Sequence, residues 1–227
     1  MNSPGRIFLT LLGMAGAAVL LGTAGCNNPF IPRHKVLVDA ISAPGSTKPT
    51  NKSYRLVAKK SVVSQVQVQV QVVKACVDAA LVGIGLFEAP ANAAPEMFIE
   101  VGYGTDTTGR VDPAARETFI QLSARDNPGG AIDQGSGGAE LWDVRVAVLG
   151  LAGRIESAMP LLCAVAANYI GTDTKMETKV DIPQNSPIIS TVRETAIKSL
   201  ETRAASSGGG AAPPATAAPP ATVPAGR

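Results

Sequence analysis

The chain is predicted to be an α+β protein: a two-layer domain in which a largely antiparallel, twisted sheet carries helices packed on one face. Three observations predict it. Short segments alternate apolar and polar residues, the period of a half-buried strand. Other segments place apolar residues three and four apart, the stripe of a core-facing helix. Hydrophobic residues make up 45% of the 227 residues, enough to fill a core between such layers.

The elements follow in chain order. Lys35 to Ser42 (KVLVDAIS) alternates and predicts a strand. Pro44, Gly45 and Pro49 then mark a loop, and Ser53 to Ala58 (SYRLVA) predicts a second short strand. Gln65 to Val72 (QVQVQVQV) alternates as a strand would. Yet Val66, Val70, Val73, Val77 and Leu81 also form a helical stripe, and no turn residue separates the run from Lys74 to Leu81. Ser64 with Gln67 has the spacing of a capping box, and Gly83 or Gly85 can close the helix in a left-handed conformation. The expectation is a helix over 61–83, against local β propensity. Pro95 to Tyr103 predicts a strand, with Gly102 and Gly104 leading into a loop. Arg116 to Arg125 and Ala139 to Leu149 predict two more, joined by a glycine-rich connection. In the latter, Trp142, Val144, Val146 and Val148 share one face. Leu151 to Ile170 carries a helical stripe (Ile155, Met159, Leu162, Val165, Tyr169) that Pro160 should kink or restart and Gly171 should end. Lys175 to Ile182 predicts an edge strand. Ser186-Pro187 opens a last helix to about Leu200 as cap and first-turn proline. From Ala204 the chain is Ala, Pro, Gly, Ser and Thr, with APPAT twice, and cannot offset the entropy of ordering itself. A disordered tail over 204–227 is expected.

The N-terminus has the order of a secretory signal: Arg6, an apolar run from Ile7 to Leu21, then small residues before Cys26. The apolar run is shorter than the ~20 residues a spanning helix needs. Thr23-Ala24-Gly25-Cys26 resembles the lipobox of bacterial lipoproteins. That resemblance implies removal of 1–25 as a signal peptide, cleavage before Cys26 and lipidation of its thiol, with more than one acyl chain giving a stable membrane anchor. Residues 26–34 (CNNPFIPRH) then form a tether to a domain over 35–200. Asn27, rather than Asp, after the cysteine implies by the same likeness the periplasmic face of the outer membrane; the inner membrane is the alternative.

The segments VLVDAIS (Val36 to Ser42), SYRLV (Ser53 to Val57), FIEVGYG (Phe98 to Gly104), ELWDVRV (Glu140 to Val146) and NYIGTDT (Asn168 to Thr174) occur in an order and spacing that resembles a domain-of-unknown-function family of Gram-negative envelope lipoproteins. The resemblance spans about Lys35 to Leu200, implies an α+β domain with the Val/Gln run helical, and brings no catalytic residues with it.

Charge and chemistry narrow the function classes. The formal net charge is +2, and loss of Arg6 with the leader leaves 19 bases against 18 acids. A nucleic-acid partner would call for a basic stripe, so none is expected. The single His, His34, excludes sites needing several histidines. Gly102-Tyr103-Gly104 with Gly109 lacks the Gly-Lys-Ser/Thr ending of a phosphate loop. Asp126 and Asp133 lack the alternating oxygen spacing of a calcium loop. Glu140, Asp143 and Arg145 bracket the lone Trp142, either as a functional cluster or as solvent-side charges around a core residue. Cys76 and Cys163 remain once Cys26 is lipidated; in an oxidising compartment they form either a disulfide or two buried thiols. No cofactor and no metal site are expected. The function expected is a membrane-anchored binding or structural module contacting an envelope protein or cell-wall component, rather than an enzyme; the competing reading is an envelope hydrolase built from scattered carboxylates or hydroxyls.

Overall fold

The computed structural model describes residues 31–45, 48–59, 70–106, 117–132, 138–149 and 155–207. Among these lie seven strands and three helices: β1 (Arg33–Ser42), β2 (Ser53–Ala58), α1 (Val70–Gly83), β3 (Phe87–Glu88), β4 (Met97–Asp106), β5 (Glu117–Asp126), β6 (Glu140–Leu149), α2 (Ile155–Tyr169), β7 (Thr178–Pro183) and α3 (Pro187–Ser207). The strands form one sheet in the order β3-β2-β4-β5-β6-β1-β7. The pairings β4/β5, β5/β6, β6/β1 and β1/β7 are antiparallel; β2 runs parallel to both β3 and β4. The fold is α+β with a mostly antiparallel sheet.

Register explains which side chains meet. Val36, Val38 and Ala40 of β1 stand opposite Val148, Val146 and Val144 of β6. Ile120, Leu122 and Ala124 of β5 oppose Val146, Val144 and Trp142, and Ile99 of β4 opposes Ala124. Because side chains alternate across a strand, these residues line one face, and all of them are buried. The helices cover that face. α2 lies against β5 and β6 and is buried continuously from Ala158 to Ala167. α3 presents the narrow stripe Ile189, Val192 and Ala196 and packs on α1 and α2.

The helix ends follow local chemistry. At the end of α1 the Leu86 N–H donates to the Leu81 carbonyl (3.1 Å) and the Gly85 N–H to that of Val82 (3.0 Å). Gly85, at φ +88°, supplies the left-handed residue this closure requires, and buried Leu81 and Leu86 complete it. Gly171, at φ +73°, follows α2. At α3 the Ser186 carbonyl accepts from Ile189 (3.1 Å) and Ser190 (3.3 Å), with Pro187 at the first helical position.

Several expectations need correction. Gly102 and Gly104 lead into no loop: β4 continues through both to Asp106, because the ladder to β5 holds Gly102 against Gln121 and Gly104 against Phe119. β3, two exposed residues, had no sequence signature. α2 runs as one helix with Pro160 inside it, so the proline does not restart it; Pro160 is itself buried, and its packing offsets the lost backbone bond. α3 continues to Ser207, past Ala204 where the tail was expected to begin, since Ala204 and Ala205 are strong helix formers. The described part of the first helix begins at Val70; its expected start over 61–69, and the tail over 208–227, lie outside the described residues.

Candidate functional site

The sheet face turned away from the helices carries a ladder of polar side chains. Gly102 has no side chain to stand between β2 and β5, and Lys59, just beyond β2, reaches Gln121 of β5, its Nζ donating to Oε1 at 3.0 Å. Gln121 Nε2 in turn donates to both oxygens of Asp143 on β6 (3.0 and 2.9 Å). In the neighbouring position the Arg145 guanidinium lies 4.1 Å from the Phe119 ring centroid and 3.8 Å from Glu117, an arrangement in which the cation meets both a π face and a carboxylate. Arg125 sits between Glu100 (4.0 Å) and Glu140 (3.6 Å). At the end of β2, Arg55 donates to the carbonyls of Pro90 and Ala93 (2.8 and 3.0 Å) and to that of Ile132, tying two loops together.

The cluster expected around Trp142 is thereby taken apart. Trp142 is buried in the core, while Asp143 and Arg145 point to the other face and Glu140 pairs with Arg125. On this face Glu100, Glu117 and Glu140 stand beside guanidinium groups and Asp143 accepts from an amide, so each of these carboxylates has a donor to hold its charged form. Among the described residues no group of three or more His, Cys, Asp or Glu could hold a metal ion. Gly102-Tyr103-Gly104 is a strand interior, not a phosphate-binding turn. Asp126 ends β5; Asp133 lies outside the described residues.

On the helix side a second polar network joins four elements. The Tyr54 hydroxyl, on a fully buried side chain of β2, donates to Asp78 of α1 at 3.0 Å. Asp78 also accepts from Lys74 (2.8 Å) and from Arg203 of α3 (3.4 Å), and Lys74 reaches Glu88 of β3 at 2.7 Å. Burial first, and then the charge and hydrogen bond of Asp78, push the Tyr54 phenol far above its ordinary range, so it stays a donor at any physiological pH. The Lys74/Asp78 spacing of four was visible in the sequence; the convergence of Tyr54 and Arg203 on it is a product of topology.

Cys76 and Cys163 are both free and both buried. Burial raises the Cys76 thiol to about 11. Burial, and secondarily the charge Cys76 would carry, raises Cys163 well above its usual value. Neither is a thiolate nucleophile at neutral pH. Cys76 lines a cleft of about 340 Å³ between the helices, with Glu156, Pro160 and Arg193. Cys26 lies outside the described residues, and no described helix is long and apolar enough to cross a membrane.

No family model matches the chain, and no curated protein sequence matches it. Solved structures overlap it in part. The PelC dodecamer from Paraburkholderia phytofirmans is 13% identical over 60% of this chain and 99% of that one, with a TM-score of 0.38. A PDZ domain protein from Parabacteroides distasonis ATCC 8503 is 12% identical over 66% of this chain and 39% of that one, with a TM-score of 0.42. At these scores the likeness carries no functional argument.

Proposed function

We propose that the chain is an envelope lipoprotein, lipidated on Cys26, whose folded domain is a binding or structural module at the periplasmic face of the outer membrane. The order of Arg6, apolar run, small residues and cysteine supports the anchor. The observation that carries the module reading is the sheet face on which, among the described residues, no helix packs. Its polar groups are held in fixed pairs (Lys59 to Gln121 to Asp143, Arg145 to Glu117), which suits a surface presented to a partner better than a reaction centre. The order of segments resembling the envelope-lipoprotein family supports the same reading.

The test is Cys26→Ala with membrane fractionation and intact-mass measurement of both proteins. The wild type is expected in the membrane fraction with an acylated cysteine at its mature N-terminus, and the variant in the soluble periplasmic fraction. A variant that still sediments with the outer membrane, or a wild-type chain without acyl mass, overturns the proposal.

A further inference from the structure

The loop between β1 and β2 borders a cleft of about 460 Å³ whose lining includes Lys48, Thr50, Lys52, Leu141 and Trp142 and contains no carboxylate. Lys48 and Lys52 are exposed and, among the described residues, neither has an ion-pair partner. This contrasts with the far sheet face, where Lys59, Arg125 and Arg145 all have polar partners.

Trp142, which lines the same cleft, has a buried Nε1 without a hydrogen bond, and so does the buried Ser42 Oγ. They belong to one cross-strand pair, since Ser42 stands opposite Trp142 in the β1/β6 ladder. A buried donor left without an acceptor is unfavourable, because it has lost its hydrogen bond to water and gained none. An indole N–H can only donate, so the group that completes it must be an acceptor.

The described part of the loop over 48–52 is built firmly enough to present such a site. Pro49 is buried. The Lys48 Cα lies 2.8 Å from where a side chain on Gly171 would begin, so Gly171 admits a close backbone approach there. The Asn51 N–H donates to the Gly85 carbonyl at 2.8 Å from a left-handed conformation (φ +56°), and the Ala43 N–H donates to that of Leu141 at 2.9 Å.

We propose that this cleft binds a small ligand through an oxyanion, a carboxylate or phosphate group held by Lys48 and Lys52 beside Trp142. The ammonium groups and the indole offer only donors, and an oxyanion supplies the acceptors and the opposite charge together. Leu141 and Pro44, which also line the cleft, offer apolar contact to the body that carries the anion. The inference stands on the domain alone and does not depend on the lipid anchor.

Trp142 is the only tryptophan, so its fluorescence and its single indole N–H resonance report this site directly. The purified full-length chain is titrated, at constant ionic strength, with inorganic phosphate, with N-acetylglycine, and with the neutral N-acetylglycinamide and sodium chloride as controls. A saturable change with either oxyanion and none with the controls is expected. Saturation by phosphate alone makes the ligand a phosphate ester, and by N-acetylglycine alone a carboxylic acid. Lys48→Ala/Lys52→Ala should weaken binding about tenfold or more, while Lys48→Arg/Lys52→Arg, which keeps the charge, should retain it. The proposal is overturned if no change saturates, if the controls give the same change, or if the alanine pair binds as the wild type does.

Discussion

Asp78 is the joint at which β2, α1 and α3 are tied by polar contacts, and Asp78→Ala tests how much that joint contributes. The substitution leaves the Tyr54 hydroxyl, on a side chain with no exposed surface, without its acceptor. Orphaning a buried donor costs about 1–3 kcal/mol. The ion pairs lost at the same time are worth less. The Lys74 and Arg203 side chains are 33% and 47% exposed, where solvent screening holds each pair to about 0–1 kcal/mol. Alanine's better helix propensity returns a few tenths of a kcal/mol. The expected loss is therefore about 2–3 kcal/mol, of which Tyr54 accounts for the larger part. At a urea slope of about 2 kcal/mol per M this moves the midpoint down by roughly 1 M. The discriminating measurement is the double variant. In the Asp78→Ala background, Tyr54→Phe removes the orphaned hydroxyl, so Tyr54→Phe/Asp78→Ala should be more stable than Asp78→Ala alone, although Tyr54→Phe by itself destabilises the wild type. Urea unfolding of all four proteins closes the cycle. If the double variant is no more stable than Asp78→Ala, the hydroxyl bond is not what the joint supplies, and the reasoning fails.

The thiols and the phenol set the alkaline limit of stability. Their folded values lie above the unfolded ones, 9.0 for each cysteine and 10.0 for Tyr54. Their contribution is therefore complete below pH 9 and is lost as pH rises, because the unfolded chain gives up protons that the folded chain keeps. Urea midpoints should be level to about pH 8.5 and then fall. Cys76→Ala/Cys163→Ala should move the onset toward pH 10, and an unchanged profile would contradict the assignment. At pH 8 neither thiol should react with an aromatic disulfide reagent until the protein is unfolded. Gly171→Ala places a Cβ 2.8 Å from the Lys48 Cα at a φ of +73°. It should cost about 1–3 kcal/mol, read by urea unfolding; a neutral result would show that the β1–β2 loop is not packed against the end of α2.

The fold was legible where one period dominated. β6 alternates from Leu141 to Val146 and β5 from Thr118 to Leu122, and apolar spacing marks the bounds of both within a residue. Gly171 could be read as a helix stop because a left-handed residue there has one obvious candidate, whereas the choice between Gly83 and Gly85 was made by the closure onto Leu81 and Val82. Other features were decided by partners distant in the chain. β4 continues through two glycines because β5 supplies its hydrogen bonds, and β3 exists only because β2 lies beside it. The parallel pairing of β2 with β4 is a topological fact with no local signature. The polar sites followed the same rule. Lys74 and Asp78 are neighbours in sequence and helix, whereas Gln121/Asp143 and Tyr54/Asp78 meet only after the sheet is ordered. Trp142 was readable as core, but not its unpartnered donor, which depends on what the opposite strand offers.

The distribution of paired and unpaired charge separates a surface suited to a broad partner contact from a cleft that can hold a small anion. On the far face, Lys59 is bonded to an amide that is bonded in turn to Asp143, and Arg125 lies between two glutamates. A partner approaching there meets groups that already hold one another in position, and the donors and acceptors they have left over can engage it without being ordered first. The β1–β2 loop is the opposite case. Its backbone is fixed by Pro49, by Asn51 in a left-handed turn and by contact with Gly171, none of which uses the ammonium groups of Lys48 or Lys52. Substituting those two lysines should therefore leave the unfolding free energy within about 0.5 kcal/mol of the wild type, as surface changes away from packed contacts do, while removing anion binding. A protein that lost stability and binding together would mean that the lysines belong to the loop's own architecture, and the separation drawn between the two surfaces would not hold.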